Sequence, residues 1–280
     1  AKYFVSWHED DKEWLNEWCK KCSPDGSVKE QDRALISLLH PSRLLDIIRN
    51  FIIYDNNVKK ICRYKQYFAV KKCMSRILLQ DGQNTRNGVV WHTQGSGKTI
   101  TMIMLTKMIL RESLKSDSII KKPRFVMVTD RVNLDKQVRD NFIHTQMSPH
   151  RAKTGTGLIE LLQDEGNTVI TSLVNKFEAA IKQEYCNDSE NLFLFIDEGH
   201  RTQYGKLNIY MNKVLPHAVK IAFTGTPLIK KPKKNDKRNI ESEKNTYVKF
   251  GPLIDKYTLQ DAIDDKVTVP IVYEGRVVSQ

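Results

Sequence analysis

The sequence predicts an α/β protein: a doubly wound parallel sheet flanked by helices, preceded by a helical N-terminal segment. Three observations carry this reading. Short apolar runs at 89–92, 125–129, 168–171, 192–196 and 220–224 alternate with helical patterns at 98–114, 132–142, 157–163 and 173–183; strands separated by helix-length segments can lie parallel in one sheet. The first of these strands, Val89-Val-Trp91, runs into a small-residue loop with Gly95 and Gly97, and the apolar run 100–110 follows at helical spacing. Leu192-Phe-Leu-Phe-Ile196 is wholly apolar, as a strand covered on both faces must be, and it delivers Asp197-Glu-Gly-His200 at its end. Ligands of such sheets bind at the carboxyl ends of the strands.

Taken in order, residues 1–60 read as helical and amphipathic. The apolar positions are Trp7, Trp14, Leu15 and Trp18, then Leu35, Ile36, Leu38 and Leu39, with Pro24-Asp-Gly26 as a turn between them. His40-Pro-Ser42 stops one helix and caps the next, which opens with Leu44, Leu45, Ile47 and Ile48. The acidic run Glu9-Asp-Asp-Lys12 falls inside a helical pattern and reads as a charged helix surface. A nuclease centre would need its carboxylates and lysine on strand ends. From residue 61, Arg63-Tyr-Lys-Gln66 leads into Tyr67, Phe68, Val70, Met74, Ile77 and Leu78 at helical spacing.

After the alternating core, residues 229–246 shift to Lys, Asn, Glu and Asp, with Ile229 and Ile240 the only large apolar residues. That composition predicts a flexible basic insertion lying in solvent. Residues 247–266 regain a pattern with Tyr247, Phe250, Leu253, Ile254, Tyr257 and Leu259, and 267–273 reads as a strand. The expected division is a helical segment over 1–60, a lobe over 61–266 and a connection over 267–280. Because the chain opens at Ala1 without an initiator Met, it is expected to be a piece of a longer protein.

With 280 residues, 40% of them hydrophobic, the chain can bury a large core, and its net charge of +12 points to a polyanionic partner, nucleic acid first. The five cysteines are scattered and odd in number, which argues for free thiols; Cys19-x-x-Cys22 lacks a second ligand pair for zinc. No apolar run reaches the length of a membrane span and no signal segment opens the chain, so a soluble, intracellular protein is expected.

The chemistry concentrates at strand ends. Glycines let backbone N–H groups approach a phosphate, a helix N-terminus adds positive partial charge, and a lysine reaches the outer phosphates. Gly95, Ser96, Gly97, Lys98 and Thr99 supply these parts, with the Thr99 hydroxyl placed for Mg²⁺; His92 stands where G-x-x-x-x-G-K-[ST] has its first glycine. Asp197 is expected to hold Mg²⁺, and Glu198 to orient and deprotonate the attacking water. Ile221-Ala-Phe-Thr224-Gly-Thr-Pro227 ends a third strand in hydroxyls suited to sensing the γ-phosphate state. Thr129 and Arg131 end a fourth, Thr171 and Ser172 a fifth, offering hydroxyls and a guanidinium to nucleic-acid phosphates without reading sequence.

In this order, Gln66, Gly95–Thr99, Thr129–Arg131, Thr171-Ser172, Asp197–His200 and Thr224–Pro227 resemble the first motor lobe of a superfamily 2 helicase or translocase, which implies a RecA-like sheet. Arg63-Tyr-Lys-Gln-Tyr-Phe-Ala-Val70, Trp91-His-Thr-Gln-Gly-Ser-Gly-Lys-Thr99, Asp197-Glu-Gly-His-Arg-Thr-Gln-Tyr-Gly205 and Tyr257-Thr-Leu-Gln-Asp-Ala262 are similar to the R subunit of type I restriction enzymes, over about 44–276. The resemblance implies that Gln66 reads the adenine edge of ATP and that His200 and Thr224 link nucleotide state to the DNA-facing side. It also implies ATP-driven translocation of double-stranded DNA, methyltransferase and specificity subunits as partners, S-adenosylmethionine only in the holoenzyme, and a bacterial or archaeal cytoplasmic location. The family's nuclease lies upstream and its second lobe, with an arginine finger, downstream, so this chain alone is expected to bind ATP weakly and hydrolyse it poorly. Gly199 departs from the family's usual Ala and should loosen the backbone there by up to roughly 1 kcal/mol. Other superfamily 2 motors, or a nucleotide-dependent DNA clamp, are the alternatives.

Overall fold

The structure, a computed structural model, describes residues 7–23, 27–79, 86–197, 204–227 and 246–269. Three helices, α1 (Lys12–Cys22), α2 (Glu30–Leu39) and α3 (Pro41–Asn50), lead into a hairpin of β1 (Ile52–Asp55) and β2 (Val58–Ile61). Then come α4 (Tyr64–Ile77), β3 (Gly88–His92), α5 (Lys98–Glu112), β4 (Arg124–Thr129), α6 (Val132–His144) and β5 (His150–Arg151). They are followed by α7 (Gly155–Gln163), β6 (Val169–Leu173), α8 (Lys176–Lys182), β7 (Leu192–Asp197), α9 (Tyr204–Val214) and β8 (Val219–Thr224). The last elements are α10 (Thr246–Phe250), β9 (Leu253–Tyr257) and α11 (Leu259–Asp264).

Strands β3 to β9 form one sheet in the order β5-β6-β4-β7-β8-β3-β9, every pair parallel. Alternation along β7 shows why the sheet is covered on both faces. Phe193 and Phe195 join the cluster built with α3, α4, α5 and α6, whereas Leu192, Leu194 and Ile196 join the one built with α7, α8, α9 and α10. All six residues of β7 are buried, so its apolar run reflects two helix layers.

Two expectations need correction, and one strand was not expected. Residues 52–61 are a hairpin, not helix: Ile52-Ile-Tyr54 is a short β-forming run, and Asn56 and Asn57 both take left-handed backbone angles (φ 49° and 63°) that asparagine tolerates at a two-residue turn. Ile47, Phe51 and Ile53 lie in the same core cluster as α4 and α5. Residues 253–257 form β9, which pairs with β3; its mixed Leu-Ile-Asp-Lys-Tyr sequence is that of an edge strand and carries no clean alternation. Residues 267–269 are not strand, and the expected insertion at 229–246 falls almost wholly outside the described residues.

The N-terminal helices are fastened to α4 by charge. Arg43 pairs with Glu9 and lies over the rings of Trp14, Tyr67 and Phe68. Asp46 accepts hydrogen bonds from Tyr67 Oη (3.0 Å), Lys71 Nζ (2.9 Å) and Asn50 Nδ2 (2.5 Å). Burial pushes the Asp46 carboxyl up, but Lys71, Asn50 and Tyr67 outweigh it and hold the group below its ordinary value of 3.8. A carboxylate depressed by folding stabilises the fold fully above its unfolded pKa and loses that contribution as pH falls through the lower folded value. Asp46→Asn is therefore expected to lower the urea midpoint at pH 7, and the gap to the parent chain should close as the pH drops below 3.8. A gap independent of pH would refute the charge-based docking of α3.

Candidate nucleotide site

The parallel sheet brings the carboxyl ends of its strands to one edge. At β3 the chain leaves His92 and turns: Thr93 N donates to Tyr257 O (2.9 Å), and Ser96 Oγ donates to Thr93 O (2.7 Å). Gly95 (φ +79°) and Gly97 (φ +85°) take left-handed angles that side chains rarely adopt. Gly97 is also the N-cap of α5 and has no side chain to cap it, so the first N–H groups of the helix are left for an anion. A Cβ at Gly97 would stand 2.5 Å from Gln66 Nε2, within the cradle.

Lys98 is half-buried and directs Nζ to the carbonyl of His92 at 3.4 Å. Gln66, 6% exposed, bridges two elements: its Oε1 accepts Arg63 N (2.9 Å) at the start of α4, and its Nε2 donates to Ser96 O (3.4 Å) and Gly97 O (3.3 Å) of the loop. The third strand end also closes on the loop. Trp91 Nε1 donates to Gly225 O (3.1 Å), and a Cβ at Gly225 would lie 3.3 Å from Gln94 N and 3.4 Å from His92 O.

Register places the remaining groups. Asp197 pairs with Phe223, and Trp91 pairs with Thr224, so β8 lies between the loop strand and the acidic strand. Asp197 is thus two strand spacings, about 10 Å, from β3 across the sheet. It is 8% exposed and buried at the strand end, as is Thr224. The oxygen donors of Thr99 and Asp197 suit Mg²⁺, and the glycine cradle ahead of an uncapped helix suits phosphate. Glu198, Gly199 and His200 lie outside the described residues.

The four residues expected at a nucleic-acid strand fare differently. Arg131 is exposed, but Thr129, Thr171 and Ser172 are at most 1% exposed. The side chains of these three therefore lie inside the fold. The residues that sequence reasoning missed are Asp255 and Lys72. Asp255 lies on the unrecognised β9, its Oδ2 2.7 Å from His92 Nε2 and its Oδ1 2.6 Å from Lys72 Nζ. The departure from glycine at position 92 was the only signal for this group.

Among the described residues no helix is long and apolar enough to cross a membrane. A family model described as SWI2/SNF2 ATPase matches residues 65–280. The chain is 33% identical over 272 residues to the HindI endonuclease subunit of a type I restriction enzyme from Haemophilus influenzae, a match covering 88% of this chain and 24% of that one. A Methanocaldococcus jannaschii sequence named for the MjaIXP type I restriction enzyme endonuclease subunit is 32% identical over 255 residues, covering 88% and 23%. The chain therefore spans about a quarter of the length of these curated relatives. Among solved structures, a nuclease-deletion mutant of the Type ISP restriction-modification enzyme LlaGI in complex with a DNA substrate mimic superposes with TM-score 0.52 at 16% identity, over 74% of this chain and 21% of that one. The Hef helicase domain of Pyrococcus furiosus gives 0.50 at 15% identity, over 72% and 38%. The chain has the RecA-like α/β fold of these neighbours, resembles the endonuclease subunits of type I restriction enzymes, and belongs to the SWI2/SNF2 ATPase family.

Proposed function

We propose that the chain is the ATP-binding motor lobe of a type I restriction endonuclease R subunit, coupling ATP hydrolysis to translocation of double-stranded DNA before a separate nuclease domain cuts. The observation that carries the reading is the uncapped start of α5 behind two left-handed glycines, with Lys98 and the buried Gln66 at its rim. Lys98 binds the outer phosphates, while Thr99 and Asp197 hold Mg²⁺, which supplies charge neutralisation at the transferred phosphoryl group. Glu198 orients and deprotonates the attacking water. Gln66 reads the adenine edge and, through Ser96 O and Gly97 O, ties that recognition to the loop.

Thr224 and His200 pass the state of the nucleotide to the DNA-facing side. What supports this for Thr224 is that the turn after it, at Gly225, leaves little room for a Cβ beside His92 O and Gln94 N of the loop. Arg131 supplies the phosphate contact to duplex DNA; backbone groups at the ends of β4 and β6 stand in for the buried hydroxyls. Methyltransferase and specificity subunits complete the assembly in a bacterial or archaeal cytoplasm, and S-adenosylmethionine belongs to that holoenzyme.

ATP turnover by the full-length protein, measured with and without duplex DNA, tests the reading. DNA is expected to raise the rate many-fold, and the 280-residue chain alone to turn over poorly. Turnover that DNA leaves unchanged, in a protein that binds both ligands, would make it a nucleotide-dependent clamp and overturn the motor assignment.

A further inference from the structure

We infer that Asp255 is a positioning residue for the phosphate loop and acts through His92, whose side chain does the placing that the strict motif leaves to glycine. The inference rests on the ATP-site reading and names a part of it. The imidazole and the carboxylate are both buried, at 1% and 4% exposure, and both carboxylate oxygens are engaged, one by His92 Nε2 and one by Lys72 Nζ. Lys72 also donates to Asp10 Oδ2 (2.6 Å), which links the group to the N-terminal segment. Burial pushes the Asp255 carboxyl up, but the His92 and Lys72 contacts prevail and keep it below the ordinary carboxylate value.

The sheet register is what aims Asp255. Val89 pairs with Leu253 but Val90 pairs with Asp255, so Ile254 is an extra residue in β9 at that point. Without it Asp255 would pair with Trp91 and face the other helix layer. With it, Asp255 shares a face with Val90 and His92. Gly88 makes room for the displaced residue: a Cβ there would stand 2.4 Å from Ile254 Cδ1.

His92 then passes its position to the loop through its backbone. Its carbonyl accepts Lys98 Nζ and lies 3.4 Å from where a Cβ on Gly225 would stand, and the next residue, Thr93, donates to Tyr257 O on the same edge strand. A carboxylate on β9 thus fixes the imidazole, the imidazole fixes the carbonyl, and the carbonyl sets where Lys98 and the turn at Gly225 rest.

The test uses the 280-residue chain with two readouts: ATP–Mg²⁺ affinity, and amide exchange of residues 93–99 without nucleotide. Asp255→Asn and His92→Leu are each expected to speed exchange over 93–99 and to weaken ATP binding about tenfold. His92→Gln, which keeps an N–H for Asp255, should stay close to the parent chain. Adding Asp255→Asn to His92→Leu should change neither readout further, because both act through one contact. Parent-like behaviour of Asp255→Asn, or effects of the two variants that multiply, would overturn the inference. Lys98→Ala separates the two levels: ATP binding indifferent to it sinks the ATP-site reading, while exchange over 93–99 still reports on Asp255 and His92.

Discussion

Phe195→Ala is expected to cost about 3–5 kcal/mol of stability, the range for truncating a buried phenylalanine. Phe195 is fully buried in β7, and its ring centroid lies 5.9 Å from that of Phe125 and 5.8 Å from that of Phe223, on the two neighbouring strands. The alanine leaves a void at the centre of the sheet that rings held by three strands cannot collapse to fill. With domain stabilities of roughly 5–15 kcal/mol, this loss puts the fold near its limit. Asp197 sits two residues along the same strand and face, so the acidic group should lose its fixed position as well. Equilibrium urea unfolding checks the prediction; a midpoint within error of the parent chain would contradict the packing described for this face.

Lys98→Ala should do the opposite, sparing the fold and removing ligand affinity. The side chain is half-buried and its contact to His92 O is long at 3.4 Å, so its loss should cost far less than the roughly 3–5 kcal/mol of Phe195→Ala. Hydrogen bonds from an ammonium to phosphate are charge-assisted and worth about 1.5–3 kcal/mol, which is roughly 10- to 100-fold in ATP affinity. Thermal unfolding without nucleotide should therefore stay much closer to that of the parent than Phe195→Ala does, and ATP should raise the parent's midpoint far more than the variant's. A large drop in the midpoint without nucleotide would mean that Lys98 is chiefly a structural residue.

What the sequence disclosed follows from how each element earns its stability. The strand β7 was legible because burial on both faces leaves a continuous apolar run, and the loop before α5 because left-handed glycines and an uncapped helix start leave a short, fixed spacing. The strand β9 was not, because an edge strand with Asp255 and Lys256 has no pattern that distinguishes it from a loop. The hairpin at 52–61 was hidden by its length, four residues a side, inside a stretch whose helices are strongly amphipathic.

At the site, position along a strand was readable but depth was not. Thr129, Thr171 and Ser172 do end their strands, yet spacing cannot tell how deeply they are buried. Gln66 was recognisable as a side chain near the loop, but its grip on Ser96 O and Gly97 O depends on how α4 packs on α5. The partnership of His92 with Asp255 joins residues 163 apart and turns on a one-residue register shift, which no local pattern encodes.

Titration calorimetry of the 280-residue chain with ATP–Mg²⁺, beside Lys98→Ala, tests the central claim most directly. The account predicts saturable binding at a single site by the parent chain, a tenfold or greater loss in Lys98→Ala on the argument above, and weaker binding of GTP. Equal binding by both chains, or none by the parent, would contradict the assignment of residues 92–99 as the site that holds the nucleotide's phosphates.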